Sequence, residues 1–192
     1  MRENSLYEKT LEFVEKSFGK RRTQGRPLHL ERTAYWVKIL NPTASEALLI
    51  AAVSHDIERA FMNAEHAQKH ILEGAGFMDE SHLSIHQEEG ARIIKKFLDE
   101  NGAETDLSNE VARLVSKHES GGDEDQNLLK DADSISFFEN NVKSFLTKQT
   151  GRFGKKKVRE KFGWMFDRIS SEKAKEICKD WHKKAIEEID KK

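Results

Sequence analysis

The chain has 192 residues, 35% of them charged and 36% apolar, with two prolines and eleven glycines. That length suits one domain with a full core, or one domain with a short appendage. The formal net charge of -1 argues against a general polyanion binder, and the lone cysteine, Cys178, excludes an intramolecular disulfide and a cysteine-rich zinc site.

The stretch Met1-Arg2-Glu3-Asn4-Ser5 lacks the apolar region of a signal peptide, so the cytoplasm is the expected location. Leu6, Thr10, Phe13, Val14 and Phe18 recur at helical spacing and predict an amphipathic helix over residues 3–18, ended by Gly19. A basic linker follows (Lys20, Arg21, Arg22, Arg26), which reads either as a solvated loop or as a phosphate-facing one; Arg26 is the candidate substrate contact. A second helix starts near Leu28, and His29 shares its apolar face with Thr33, Trp36, Val37 and Leu40. Asn41-Pro42 stops it, and Thr43 or Ser45 caps the next.

That third helix is the one around which the chain is organised. Leu48-Leu49-Ile50-Ala51-Ala52-Val53 is apolar all round and ends in Ser54-His55-Asp56, with the helix expected to run to about Phe61. The run is far too short to cross a bilayer, which takes about 20 residues. It therefore reads as a core helix, and a buried His-Asp pair at its end needs compensation, for which a metal ion is the usual answer. Glu58 and Arg59 follow directly: Glu58 could serve as a general base and Arg59 could hold a phosphate oxygen, or both could be solvated residues at a helix end.

Residues 63–73 are expected to be helical, then Leu83 to Leu98 with His86, Gly90, Ile93 and Phe97 on one face. Ser108 is expected to cap a helix on which Val111, Leu114, Val115 and His118 line up. Glu119 to Asp125 reads as an acidic loop, and Leu128 to Phe138 as a helix carrying Asp131 and Asp133. No segment alternates with period two, so the expected fold class is all-α.

A lone histidine on an apolar helix face is more often a core residue satisfied by a hydrogen bond. His29, His55, His86 and His118, from four helices and joined by Asp56 and Asp133, are hard to explain one at a time. His66 and His70 are spaced like a metal pair, yet Ala67 and Ile71 mark the buried face there, which leaves both histidines on the surface. His82 and His182 read as bystanders.

The ordered set resembles the HD-domain superfamily of metal-dependent phosphohydrolases. His29-Leu30-Glu31-Arg32 resembles its first motif, Ala51-Ala52-Val53-Ser54-His55-Asp56 the paired motif, His86-Gln87-Glu88-Glu89-Gly90-Ala91 a His-then-Gly-Ala segment, and Ala132-Asp133-Ser134-Ile135 the last. The likeness spans roughly residues 25–140. It implies a helical bundle, metal ligands at His29, His55, Asp56 and Asp133, and catalytic roles for Asp56, His86 and His118. Asp131 is the alternative to Asp133. Imidazole and carboxylate ligands suit manganese, iron, cobalt, nickel or zinc. His86 and His118 either complete a dinuclear site or contact the substrate beside one metal; the sequence leans to one metal.

Beyond residue 140 the segment 148–161 carries seven basic residues against one acidic, and Phe162, Trp164, Met165, Phe166 and Ile169 supply an apolar surface before Ser171 caps a last helix. It reads as a helical hairpin packed on the core with its charges in solvent, or as a cover over the active site that binds substrate phosphates, or as a nucleic-acid contact. The expected organisation is an HD-like core over residues 1–140 and a helical extension over 141–192. The expected activity is hydrolysis of a nucleotide or other small phosphorylated metabolite; the rival is a non-catalytic module with a structural metal that binds a nucleotide or a protein partner. No membrane partner is expected, and the balanced charge argues against nucleic acid.

Overall fold

The computed structural model describes residues 4–19, 26–62 and 76–192, and its described residues are helical with no strand. In chain order the long helices are α1 (Leu6–Gly19), α2 (Arg26–Leu40), α3 (Glu46–Ser54), α4 (Glu80–Glu100), α5 (Thr105–Val115), α6 (Glu124–Asn140), α7 (Lys155–Asp167) and α8 (Glu172–Asp190). The expectations for 63–73, His66, His70 and the basic linker at 20–25 fall outside the described residues.

The apolar run 48–53 does become the axis of the fold. Ser45 caps α3 by accepting from the Leu48 N–H, and Leu48, Ile50, Ala51, Ala52 and Val53 are fully buried. Around them pack α1, α2 and α5, with α2 lying along α6 and α4 along α5. The α-helix stops at Ser54, however, rather than near Phe61, and continues as a turn and a short 3-10 helix, Ile57–Ala60. Two side chains compete with the ladder at this point. Ser54 donates to the Ile50 carbonyl and His55 Nδ1 meets the Ala52 carbonyl at 2.9 Å.

Two other helix starts also differ from the sequence reading. α4 begins at Glu80 because Asp79 accepts from the His82 N–H. Ser108 lies inside α5, bonded to the Thr105 carbonyl, instead of capping it. His118 lies beyond the end of α5, in a turn.

Helix α6 is buried from Leu129 to Phe138 and joins two apolar clusters. Leu129 and Ala132 belong to the cluster around α3; Ile135, Phe137 and Phe138 belong to a second, formed with Phe162, Met165, Ala174 and Cys178 of α7 and α8. The turn into α8 is tied down by Asp131, whose two carboxylate oxygens accept from the Ser170 and Ser171 N–H groups at 2.7 and 2.8 Å. Asp131→Ala would strand both donors. It should lower the unfolding free energy by about 1–3 kcal/mol in urea denaturation while leaving native helicity unchanged.

Candidate metal centre

Four segments deliver imidazoles to one buried space. His29 sits near the start of α2, His55 at the end of α3, His86 on α4 and His118 in the turn after α5; all are buried. Their rings form a chain, with centroids 5.4 Å apart from His29 to His55, 5.0 Å from His55 to His118 and 5.0 Å from His118 to His86. The crossing of α4 over the end of α3 is close at Gly90, where a Cβ would meet the His55 carbonyl oxygen at 3.2 Å and a Val115 methyl at 3.5 Å. A glycine there lets His86 reach the pocket.

Two carboxylates face this chain in matching ways. Asp133 gives one oxygen to Arg168 and turns Oδ1 to His29 Nε2, at 2.9 Å, and His55 Nε2, at 3.4 Å. Asp56 pairs Oδ2 with Arg59, 2.8 Å from its Nε, and turns Oδ1 to His86 Nε2, at 3.0 Å, and His118 Nε2, at 3.9 Å. Each carboxylate thus has one oxygen held by an arginine and one aimed at two histidines.

The hydrogen bonds on the far side of the rings assign the tautomers. His55 and His118 each point Nδ1 at a backbone carbonyl, of Ala52 and Val115, which can only accept. Ser136 donates its hydroxyl to the His29 carbonyl, so His29 Nδ1 must donate to Ser136 Oγ. All three rings therefore carry a proton on Nδ1, which in the neutral imidazole leaves the Nε2 lone pair facing the pocket. Lone pairs facing carboxylate oxygens repel unless a cation lies between them. His55 Nε2 and His118 Nε2 are buried and have no hydrogen-bond partner, and a buried atom in that state is costly. Donors of this kind fit a transition-metal ion.

The electrostatics separate the histidines. Burial opposes charge on Asp133 and Asp56, yet Arg168 and Arg59, helped by the histidines, hold both carboxyls well below the usual range. Burial pulls His118 down to about 3, which leaves a neutral imidazole. Burial also works against a proton on His55, but the Asp133 carboxylate raises its pKa all the same. His86 rises to about 9 against burial and Arg59, because Asp56 and Glu58 both hold it.

Three-residue groups able to hold a metal form at His29, His55 and Asp56 and at Asp56, His86 and His118, sharing Asp56. Asp133 borders the first. Glu58, considered as a general base or a solvated residue, is neither solvated nor turned to the pocket: it is buried and takes the His86 Nδ1 side at 2.6 Å, where it orients that ring. Arg59 is engaged with Asp56. Asp131 lies away from the cluster, at the α8 turn. Arg26 opens α2, but its side chain is outside what is described. His82 lies in the first turn of α4, and His182 stacks on Phe166 with centroids 4.3 Å apart.

Three site residues were missed from sequence. Glu119 is not part of a solvated loop: it is buried and ion-paired with Arg168. Its position directly after His118 was the available signal. Arg168 comes from the end of α7 and bonds Asp133, Glu119 and Ser134 at once. Lys161, at the end of the basic segment, is buried with its ammonium lowered to about 8 by burial. Nothing local in the sequence marks either cation.

Asp56→Ala should abolish metal retention, measured by elemental analysis, while circular dichroism stays close to that of the unaltered chain. Glu58→Gln should keep the metal but weaken its binding by about 10–100-fold, as removal of an outer carboxylate does.

Neither the curated proteins nor the solved structures contain a match to this chain. A family model does match it, over residues 15–189, which takes in the whole His/Asp cluster and the C-terminal helices. The chain belongs to the family described as Domain of unknown function (DUF4202).

Proposed function

We propose that the protein is a metal-dependent phosphohydrolase of the HD type, acting on a nucleotide or another small phosphorylated metabolite. The observation that carries this reading is the pair of arginine-held carboxylates, each with its free oxygen turned to imidazole Nε2 atoms in a buried pocket. His29, His55 and Asp133 would hold one ion with Asp56, and Asp56, His86 and His118 a second. Two groups joined at Asp56 favour a pair of ions over the single one to which the sequence leans. When bound, such ions neutralise phosphoryl charge and make water nucleophilic near neutral pH.

The chain's own groups do the rest. Ser136 and the Ala52 and Val115 carbonyls fix the ring tautomers, and Glu58 fixes His86. Arg59 and Arg168 keep Asp56 and Asp133 ionised and oriented. The surrounding apolar helices exclude bulk water, so these charges act in a medium where they are strong. The balanced overall charge supports a small substrate rather than a nucleic acid. Among the described residues no helix is long and apolar enough to cross a membrane. The buried free thiol of Cys178 is compatible with a cytoplasmic setting.

The second reading, a binding module with a structural metal, draws support from how little of the ligands is exposed: His118 is 0% and His55 1% accessible. Turnover separates the two. Manganese-loaded protein should release phosphate from members of a panel of nucleotides and sugar phosphates, and EDTA should stop it. Retained metal with no release from any ester would support the module instead. His118→Ala should lower bound metal from a pair of ions to one and reduce turnover by several orders of magnitude; a single ion in both proteins would restore the mononuclear arrangement.

A further inference from the structure

Lys161 is a largely buried lysine whose ammonium makes no hydrogen bond or ion pair among the described residues. Its neighbours Val158, Phe162 and Met165 are buried too, so it lies on the inward face of α7, and it is 9% exposed. Lys155, Lys156 and Arg159 of that stretch are exposed: Lys155 donates to the Asp190 carbonyl, Lys156 lies 3.9 Å from Glu160 and Arg159 3.1 Å from Asp190. Lys161 has instead the ring faces of Trp164, 4.1 Å from Nζ to centroid, and Phe137, at 5.9 Å. A ring face returns less than removing an ammonium from water costs. The Glu119 and Asp133 carboxylates attract the ammonium from beyond ion-pair distance, but Arg168 already holds both, which leaves Lys161 with no acceptor in contact and open to an anion from outside the chain.

Its surroundings place that anion at the metal pocket. The Trp164 ring also carries the Arg168 guanidinium, 4.7 Å from Cζ to centroid, and Arg168 bonds both Asp133 and Glu119. Asp133 in turn lies against His29 and His55. Lys161 and Arg168 are therefore two cations on one indole at the rim of the pocket, but they are not equivalent. All three guanidinium nitrogens of Arg168 are taken up by Ser134, Glu119 and Asp133. The three N–H groups of Lys161 have no oxygen to donate to among the described residues.

We propose that Lys161 is the anion-binding residue of the pocket, its ammonium taking a non-bridging phosphoryl oxygen of the substrate while Trp164 holds the side chain in place. The C-terminal helices then complete the site: Arg168 secures its carboxylates and Lys161 supplies its free cation. The identity of the anion as a phosphoryl group rests on the hydrolase reading; the presence of an anion site does not.

The test is orthophosphate binding to the manganese-loaded full chain, followed by calorimetry. Lys161→Met keeps the length and the apolar stem without the charge. It should weaken phosphate binding by about tenfold or more, the effect of losing one charge-assisted hydrogen bond, with metal content and melting temperature preserved. Lys161→Arg should restore most of the binding, and Lys156→Met, on the outer face, should leave it unchanged. Should Lys161→Met fail to fold, Lys161→Gln decides in its place. Phosphate bound equally well without the lysine, or not bound by the unaltered chain at all, would overturn the proposal. Lysine-dependent phosphate binding in a protein that turns over no phosphate ester would overturn the hydrolase reading and leave the anion site standing.

Discussion

The structure depends on keeping two aspartates ionised inside a helical core. A carboxylate removed from water costs several kcal/mol unless its lone pairs are met. Asp56 and Asp133 meet that cost in the same way, with an arginine on one oxygen. That pairing leaves the second oxygen free to face inward, and it fixes where each of the four histidines must stand. Remove either arginine and its aspartate loses the foremost charge that offsets burial, so its carboxyl pKa rises.

The helices are arranged to satisfy this constraint. α3 is apolar from Ala47 to Val53 and yet must end at Ser54, so that the chain can turn there with the His55 ring held by the Ala52 carbonyl. Gly90 allows α4 to cross close enough for His86 to approach Asp56. α6 is buried on both sides because it carries Asp133 towards the pocket and Asp131 towards the turn of α8. The C-terminal helices are joined to the rest through an apolar cluster, and their polar residues reach the same carboxylates.

Much of this was legible in the chain. The apolar run before His55-Asp56 announced a core helix, and helical spacing placed His29 and His86 on inward faces, where the structure has them. Asp133 was separated from Asp131 only by its motif; the structure adds the physical distinction, since Asp131 is consumed by two backbone donors. What could not be read were the partners supplied from a distance. Arg168 lies 35 residues from Asp133 and 49 from Glu119, with no periodicity to connect them. Lys161 looked like one more charge in a basic stretch, because burial of a single lysine depends on which face of α7 meets the rest of the protein. The early end of α3 was hidden for a related reason, since side-chain competition for backbone carbonyls leaves no mark on hydrophobic spacing.

The central claim is that the Nε2 lone pairs of His29, His55 and His118 face carboxylates because a cation belongs between them. Anomalous diffraction from crystals grown with manganese tests it most directly. Density is expected within coordination distance of His29 and His55 Nε2 and the free oxygen of Asp133, and again beside Asp56 and His118. Crystals with no anomalous peak in the pocket, and with a proton-mediated bond from His29 Nε2 to Asp133 in its place, would contradict the claim.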